Sequence, residues 1–123
     1  MNLFRLLFIF WITSFACLGY ANDVNEIRFR HVGLKEGLSH STIFGINQDK
    51  EGNLWFATYD GLNKYDGYNF TVYRHQYKKA NSIANDITRC IVVDDDNRIW
   101  IGTRDGLSLY NHRNDEFYNF YYN

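Results

Sequence analysis

The residues able to do chemistry in this 123-residue chain are few, and some are grouped. Carboxylates cluster twice, as Asp49 with Glu51 and as Asp94, Asp95 and Asp96; a hard cation or an acid–base pair needs such a group. His31, His40, His75 and His112 offer proton transfer, metal ligation or phosphate acceptance. Cys90 offers a thiol. Tyr59, Tyr68 and Tyr77 offer apolar ring faces with polar tips, the kind of surface on which a sugar stacks. Each group also has a plainer reading. A calcium loop places its ligands at alternate positions and closes on a distal Glu, and 94–97 does not continue that way. The acidic residues therefore read as turn formers, with no metal site and no cofactor expected. No spacing of Ser, His and Asp proposes a triad. The histidines read as loop or strand-edge residues, and Cys90, in an apolar run with Ile91, Val92 and Val93, as a buried small hydrophobe. The three tyrosines are the candidate ligand-binding residues, with packing between sheets as their alternative.

The elements that must position these residues are strands. Aromatics are dense, with 10 Phe, 10 Tyr and 3 Trp, and Pro is absent. The charges nearly cancel, 13 Lys and Arg against 14 Asp and Glu, which excludes a basic nucleic-acid surface. Residues 1–5 carry one positive charge, residues 6–18 are apolar, and Gly19, Tyr20 and Ala21 supply a small-residue cleavage site. This layout predicts a signal peptide over 1–21 and export to the periplasm. The apolar run is shorter than the roughly 20 residues of a membrane anchor; acylation at Cys17 is a third reading. Cleavage leaves Cys90 without a disulfide partner.

The rest of the chain repeats itself. A shift of 45 carries Asp49 to Asp94, Trp55 to Trp100, Thr58 to Thr103, Gly61 to Gly106, Leu62 to Leu107 and Tyr65 to Tyr110. After Tyr110 the second unit spends two more residues before its next aromatic, a slip that belongs in a loop. Strand-like runs fall at 42–48, 53–58, 62–65 and 69–75 in the first unit. Asp49 opens a turn that Gly52 completes with positive φ; Asp94 and Asn97 do the same in the second. Asp60 with Gly61 and Asp105 with Gly106 mark tight hairpins. Alternation in the second strand sets Trp55 and Ala57 against Leu54, Phe56 and Thr58, so both faces are expected to be buried. Two incomplete-propeller blades of four antiparallel strands, all β, follow from this pattern. The expected division is 1–21 signal peptide, 22–36 leading strand and linker, 37–80 first blade and 81–123 second blade.

The runs 53–66 and 98–111, with Gly37, Leu38, Ser39 and the linker 81–86, resemble the two-component regulator propeller repeats. Ala57, where Gly is more usual, and Asn97, in place of the turn Gly, are the departures. The resemblance implies the ligand-sensing, periplasmic front of a hybrid sensor histidine kinase, with oligosaccharides as the ligand class and a membrane anchor elsewhere. It implies no kinase core in this segment. A propeller lyase of the streptogramin type is the alternative. Two repeats fall short of the four to eight that close a ring, so a truncated member, a fragment or the product of an interrupted gene is expected, with further blades or other copies as partners. Residues 22–123 alone should then be poorly stable or aggregate. A thermal melt checks this; cooperative unfolding from a monodisperse monomer is the contrary result.

Overall fold

The computed structural model describes residues 27–122. The predicted signal peptide, its cleavage site and Cys17 lie outside the described residues. The chain divides at Arg30, and residues 27–30 have no regular structure. In the unit that begins at His31, a short 3₁₀ turn over Leu34–Glu36 precedes eight strands: β1 (Ile43–Gln48), β2 (Leu54–Thr58), β3 (Gly61–Tyr65), β4 (Phe70–Tyr73), β5 (Thr88–Val93), β6 (Ile99–Thr103), β7 (Gly106–Asn111) and β8 (Glu116–Tyr121). They form two four-stranded sheets in sequential order, antiparallel throughout. The fold is that of two propeller blades. Residues 27–32, where the leading strand is expected, hold no strand.

Each sheet is organised by one aspartate. Asp49 Oδ1 accepts the backbone N–H groups of Glu51 and Asn53, closing the β1–β2 turn. Its Oδ2 accepts from Asn53 Nδ2 and, at 2.8 Å, from the indole Nε1 of Trp55. Asp94 repeats this with Asp96, Arg98 and Trp100 Nε1 at 3.0 Å. Gly52 at φ 91° and Asn97 at φ 59° take the left-handed positions that the sequence assigns them. A turn residue thereby aims a tryptophan out of its own strand.

The two tryptophans meet different surroundings. Trp55, Ala57 and Leu62 are fully buried against Ile91, Ile99, Ile101, Tyr110 and Phe117 of the second sheet, with Ile83 of the connecting segment wedged among them. Trp100 is only partly covered. The expectation that both faces of each sheet are buried is therefore corrected: one face of each packs on the other sheet, and the opposite faces stay half-exposed. Cys90 is corrected for the same reason. It pairs with Gly102 on the uncovered face of the second sheet and is exposed.

Polar groups at 0% exposure fix the two sheets in register. Thr88 Oγ1 accepts the N–H of Thr58 at 2.7 Å and donates to the Thr58 carbonyl at 3.0 Å. Gly61 N–H reaches the carbonyl of Asp86. Asn63 holds Ser39 through both its amide atoms, and Ser108 holds the N–H of Ala84 in the equivalent place. Gly61 and Gly106 are required by close approach: a Cβ there would stand 2.6 Å from the Tyr73 carbonyl and 2.5 Å from the Phe120 carbonyl.

Asp49→Ala should cost about 2–3 kcal/mol, because the Trp55 indole N–H is left buried and unpartnered; Asp94→Ala should cost less, Trp100 being partly open. Burial opposes ionisation of both carboxyls, but the indole, amide and, for Asp94, Arg98 hydrogen bonds outweigh it and hold both below the ordinary aspartate value. A lowered folded-state pKa stabilises fully above the unfolded value near pH 4 and fades as pH falls toward the folded one. Urea unfolding followed by tryptophan fluorescence should therefore show the unsubstituted chain losing stability below about pH 4, and Asp49→Ala losing less over the same span.

Candidate functional site

Where the sheets meet, near the β3–β4 and β7–β8 turns, the packing opens into a cleft of about 320 Å³ lined by Asn53, Lys64, Asp66, Asn69, Tyr73, Tyr110 and Asp115, with Thr71. That volume suits a small polar ligand. Lys64 is the penultimate residue of β3, and its Nζ stands 5.4 Å from the Trp55 ring centroid and 6.0 Å from that of Tyr110. Such contacts hold a cation over an aromatic floor. Opposite it, Asp115 Oδ1 accepts hydrogen bonds from Tyr73 Oη at 2.7 Å and Tyr110 Oη at 2.6 Å. The two hydroxyls are 3.4 Å apart. The first sheet thus supplies Lys64 and Tyr73, the second Tyr110 and Asp115.

Ionisation follows from these contacts. Burial and then the Asp115 carboxylate push the Tyr73 phenol far above its ordinary value, and the same two causes push Tyr110 up to about 12. For Asp115, partial burial opposes the charged form, but the two phenolic donors, with Lys64 and Lys79 adding charge, keep it below the usual carboxylate range. At neutral pH the site holds an aspartate and two protonated tyrosines. Asp115 sits at φ 57°, a left-handed conformation that a short polar side chain tolerates.

The cleft gathers residues at which the two repeats differ. Lys64 corresponds by the 45-residue shift to Leu109. Tyr73 stands opposite Leu62 as Phe120 stands opposite Leu107. Asp115 lies in the longer β7–β8 turn, the site of the two-residue slip. Tyr110 entered the sequence reading only as a repeat position, and Lys64, Tyr73 and Asp115 did not enter it. The signal that would have found them is departure from the repeat. A larger hollow of about 490 Å³ beside Leu34–Glu36 lacks such convergence.

The three tyrosines proposed from sequence are all exposed: Tyr59 at 53%, Tyr68 at 86% and Tyr77 at 95%. None packs between the sheets. Tyr59 is in the β2–β3 turn, beside the rings of His40 and Phe44, and Tyr68 in the β3–β4 turn at the other end of β3, so those two share no site. Tyr77 lies in the β4–β5 connection. Tyr68 follows Asp66 and precedes Asn69, both of which line the cleft. The four histidines lie outside the strands. His40, His75 and His112 are engaged locally, with Thr42 N–H, the Ile83 carbonyl and the Asn97 carbonyl. Among the described residues, no three His, Cys, Asp or Glu side chains are grouped closely enough to hold a metal ion, and no helix is long and apolar enough to cross a membrane.

Residues 37–60 and 81–105 match the family described as two component regulator propeller. The chain is 38% identical over 71 residues to Histidine kinase P4 of Formosa agariphila, covering 58% of this chain and 5% of that protein. Among solved structures it is similar to the extracellular domain of the hybrid two component system BT3049 from B. thetaiotaomicron, at 38% identity and a TM-score of 0.69, over 76% of this chain and 13% of that one. The extracellular domain of BT4673 from the same organism, at 20% identity and a TM-score of 0.55, covers 64% of this chain and 11% of that one, and shares the fold. The chain therefore spans a small part of the proteins it matches.

Asp115→Ala should leave the Tyr73 and Tyr110 hydroxyls with only each other and lower stability by about 1 kcal/mol at neutral pH. Below about pH 3 the difference should shrink, because the protonated acid no longer provides the stabilised form. Urea midpoints at the two pH values check this.

Proposed function

We propose that this chain, whose residues 37–60 and 81–105 match the two component regulator propeller family, forms part of the ligand-sensing, periplasmic region of a hybrid two-component sensor, and that oligosaccharides are its ligand class. The single observation that carries the ligand reading is the inter-sheet cleft, where a cation, two carboxylates, two phenols and two amides converge beside aromatic rings. Neutral sugars are recognised by such a mixture, hydroxyls bonding to carboxylate and amide groups and ring C–H faces lying on aromatics. Tyr68, exposed in the turn that carries Asp66 and Asn69, adds a stacking surface at the rim.

Support for the sensor class comes from the matched histidine kinase and from the extracellular domains of two-component systems. The same matches favour it over a propeller lyase of the streptogramin type. Because the cleft takes residues from both sheets, a ligand there bridges them, and occupancy becomes a change in how the two sheets are held. Catalysis of phosphoryl transfer, in this reading, belongs to parts of the sensor other than these blades.

Calorimetric titration of the chain with a panel of oligosaccharides released from plant and algal polysaccharides tests the proposal. For whichever sugar binds, Lys64→Ala and Asp115→Ala should each weaken affinity about tenfold, the loss of one good polar contact. Tyr68→Ala should weaken it less, and Tyr59→Ala not at all. Binding that survives both cleft substitutions would move the site elsewhere.

A further inference from the structure

Tyr73 and Asp115, which wall the inter-sheet cleft, also wall a second and smaller hollow of about 80 Å³. Its far side is the β4–β5 connection, through Gln76, Lys79 and Asn81. The backbone of that connection is held from both directions. Within it, the Gln76 carbonyl accepts the N–H of Lys79 at 2.9 Å, and Ser82 Oγ accepts the N–H of Gln76 at 2.9 Å. From the second sheet, Phe117 N–H donates to the Asn81 carbonyl at 2.9 Å, and Asn119 Nδ2 to the Ser82 carbonyl at 2.7 Å. Among the described residues, no hydrogen bond occupies the side chains of Gln76, Lys79 or Asn81. A fixed backbone that presents polar side chains with no partner is the form of a wall built ahead of its ligand.

Asp115 serves both spaces. Its Oδ1 is taken by the Tyr73 and Tyr110 hydroxyls, and its Oδ2 is left to accept. Lys64 lines the cleft and Lys79 the hollow, so each space has one ammonium donor and a share of the same carboxylate. The hollow has room for a few waters, far short of the 320 Å³ of the cleft, and therefore for an exocyclic arm rather than a ring. We infer that the hollow is a second subsite, in which Gln76 and Lys79 take a hydroxyl-bearing arm of the unit that follows the one in the cleft. The inference rests on the oligosaccharide reading of the cleft and adds a length requirement to it. Both spaces are built from the two described sheets and the connection between them, so neither depends on what flanks those sheets.

Ligand length separates the two readings. In calorimetric titration of the chain with cello-, xylo-, manno- and laminari-oligosaccharides of increasing length, the series that binds should gain about tenfold in affinity at a single added unit and little beyond it. Gln76→Ala and Lys79→Ala, both at exposed positions, should each remove most of that step. Asp115→Ala, which faces both spaces, should instead weaken the members on either side of the step alike. A step that survives both substitutions, or an affinity independent of length, overturns the second subsite and leaves the cleft as the site. Binding by none of the four series overturns the oligosaccharide reading and this inference with it.

Discussion

The carboxylate that closes each β1–β2-type turn also holds the indole N–H of the tryptophan six residues on, and much of the molecule depends on that double use. Without it the tryptophan would carry a buried donor into an apolar interface, at a cost comparable to a lost hydrogen bond. With it, the largest side chain of the strand can lie flat in the space between sheets, as Trp55 does within 4.8 Å of the Tyr110 ring. The turn, the rotamer of the tryptophan and the face on which the next sheet docks are thus decided by one residue. Close approach of paired strands is the accompanying requirement. In the first sheet Gly45 pairs with Ala57, and in the second Cys90 pairs with Gly102, where an added Cβ would lie 2.5 Å from the Cys90 sulfur. Each sheet keeps one glycine in that pair, on opposite strands. Ala57 in the customary glycine position is therefore balanced by Gly45 across the ladder.

Identical motifs serve different ends according to what faces them. Trp55 and Trp100 occupy equivalent strands and share the same clamp, yet one is at the centre of the core and the other at its margin. The asymmetry runs through the second sheet, where Ile99 and Ile101 are buried and Cys90 and Val92 are exposed. Alternation along a strand reports that two faces differ; it does not report which of them has a partner.

That distinction explains how much was legible in the sequence. The strands, the turns and Asn97 at its left-handed position could be read because they follow from local chemistry and from a repeat that states each rule twice. The exposure of Cys90 could not, because its apolar neighbours describe the strand and not its covering. Thr88 was also silent: its counterpart is Ile43, and only the packed sheets show that a buried hydroxyl there joins Thr58 of the other sheet at 2.7 Å. The cleft residues were hidden for a related reason. A search for repetition discards Lys64, Tyr73 and Asp115 as noise, although they are where the two units differ.

Those differences are where the proposed ligand-sensing role finds its structural basis. What the repeats share is spent on holding each blade together: clamp, hairpin glycines, threonine caps. What they do not share is concentrated at the junction of the blades, on one side as the Thr58–Thr88 staple and on the other as the Lys64, Tyr73 and Asp115 cleft. The staple is dry and fully satisfied, so it behaves as a fixed hinge. The cleft is open and polar, and its two tyrosines and one aspartate come from different sheets. On the proposed reading, a ligand bound there would act at a distance from the hinge and on both bodies at once. It would bias their relative setting only through differential contacts with the two sheets, the requirement any binding event must meet to be transmitted.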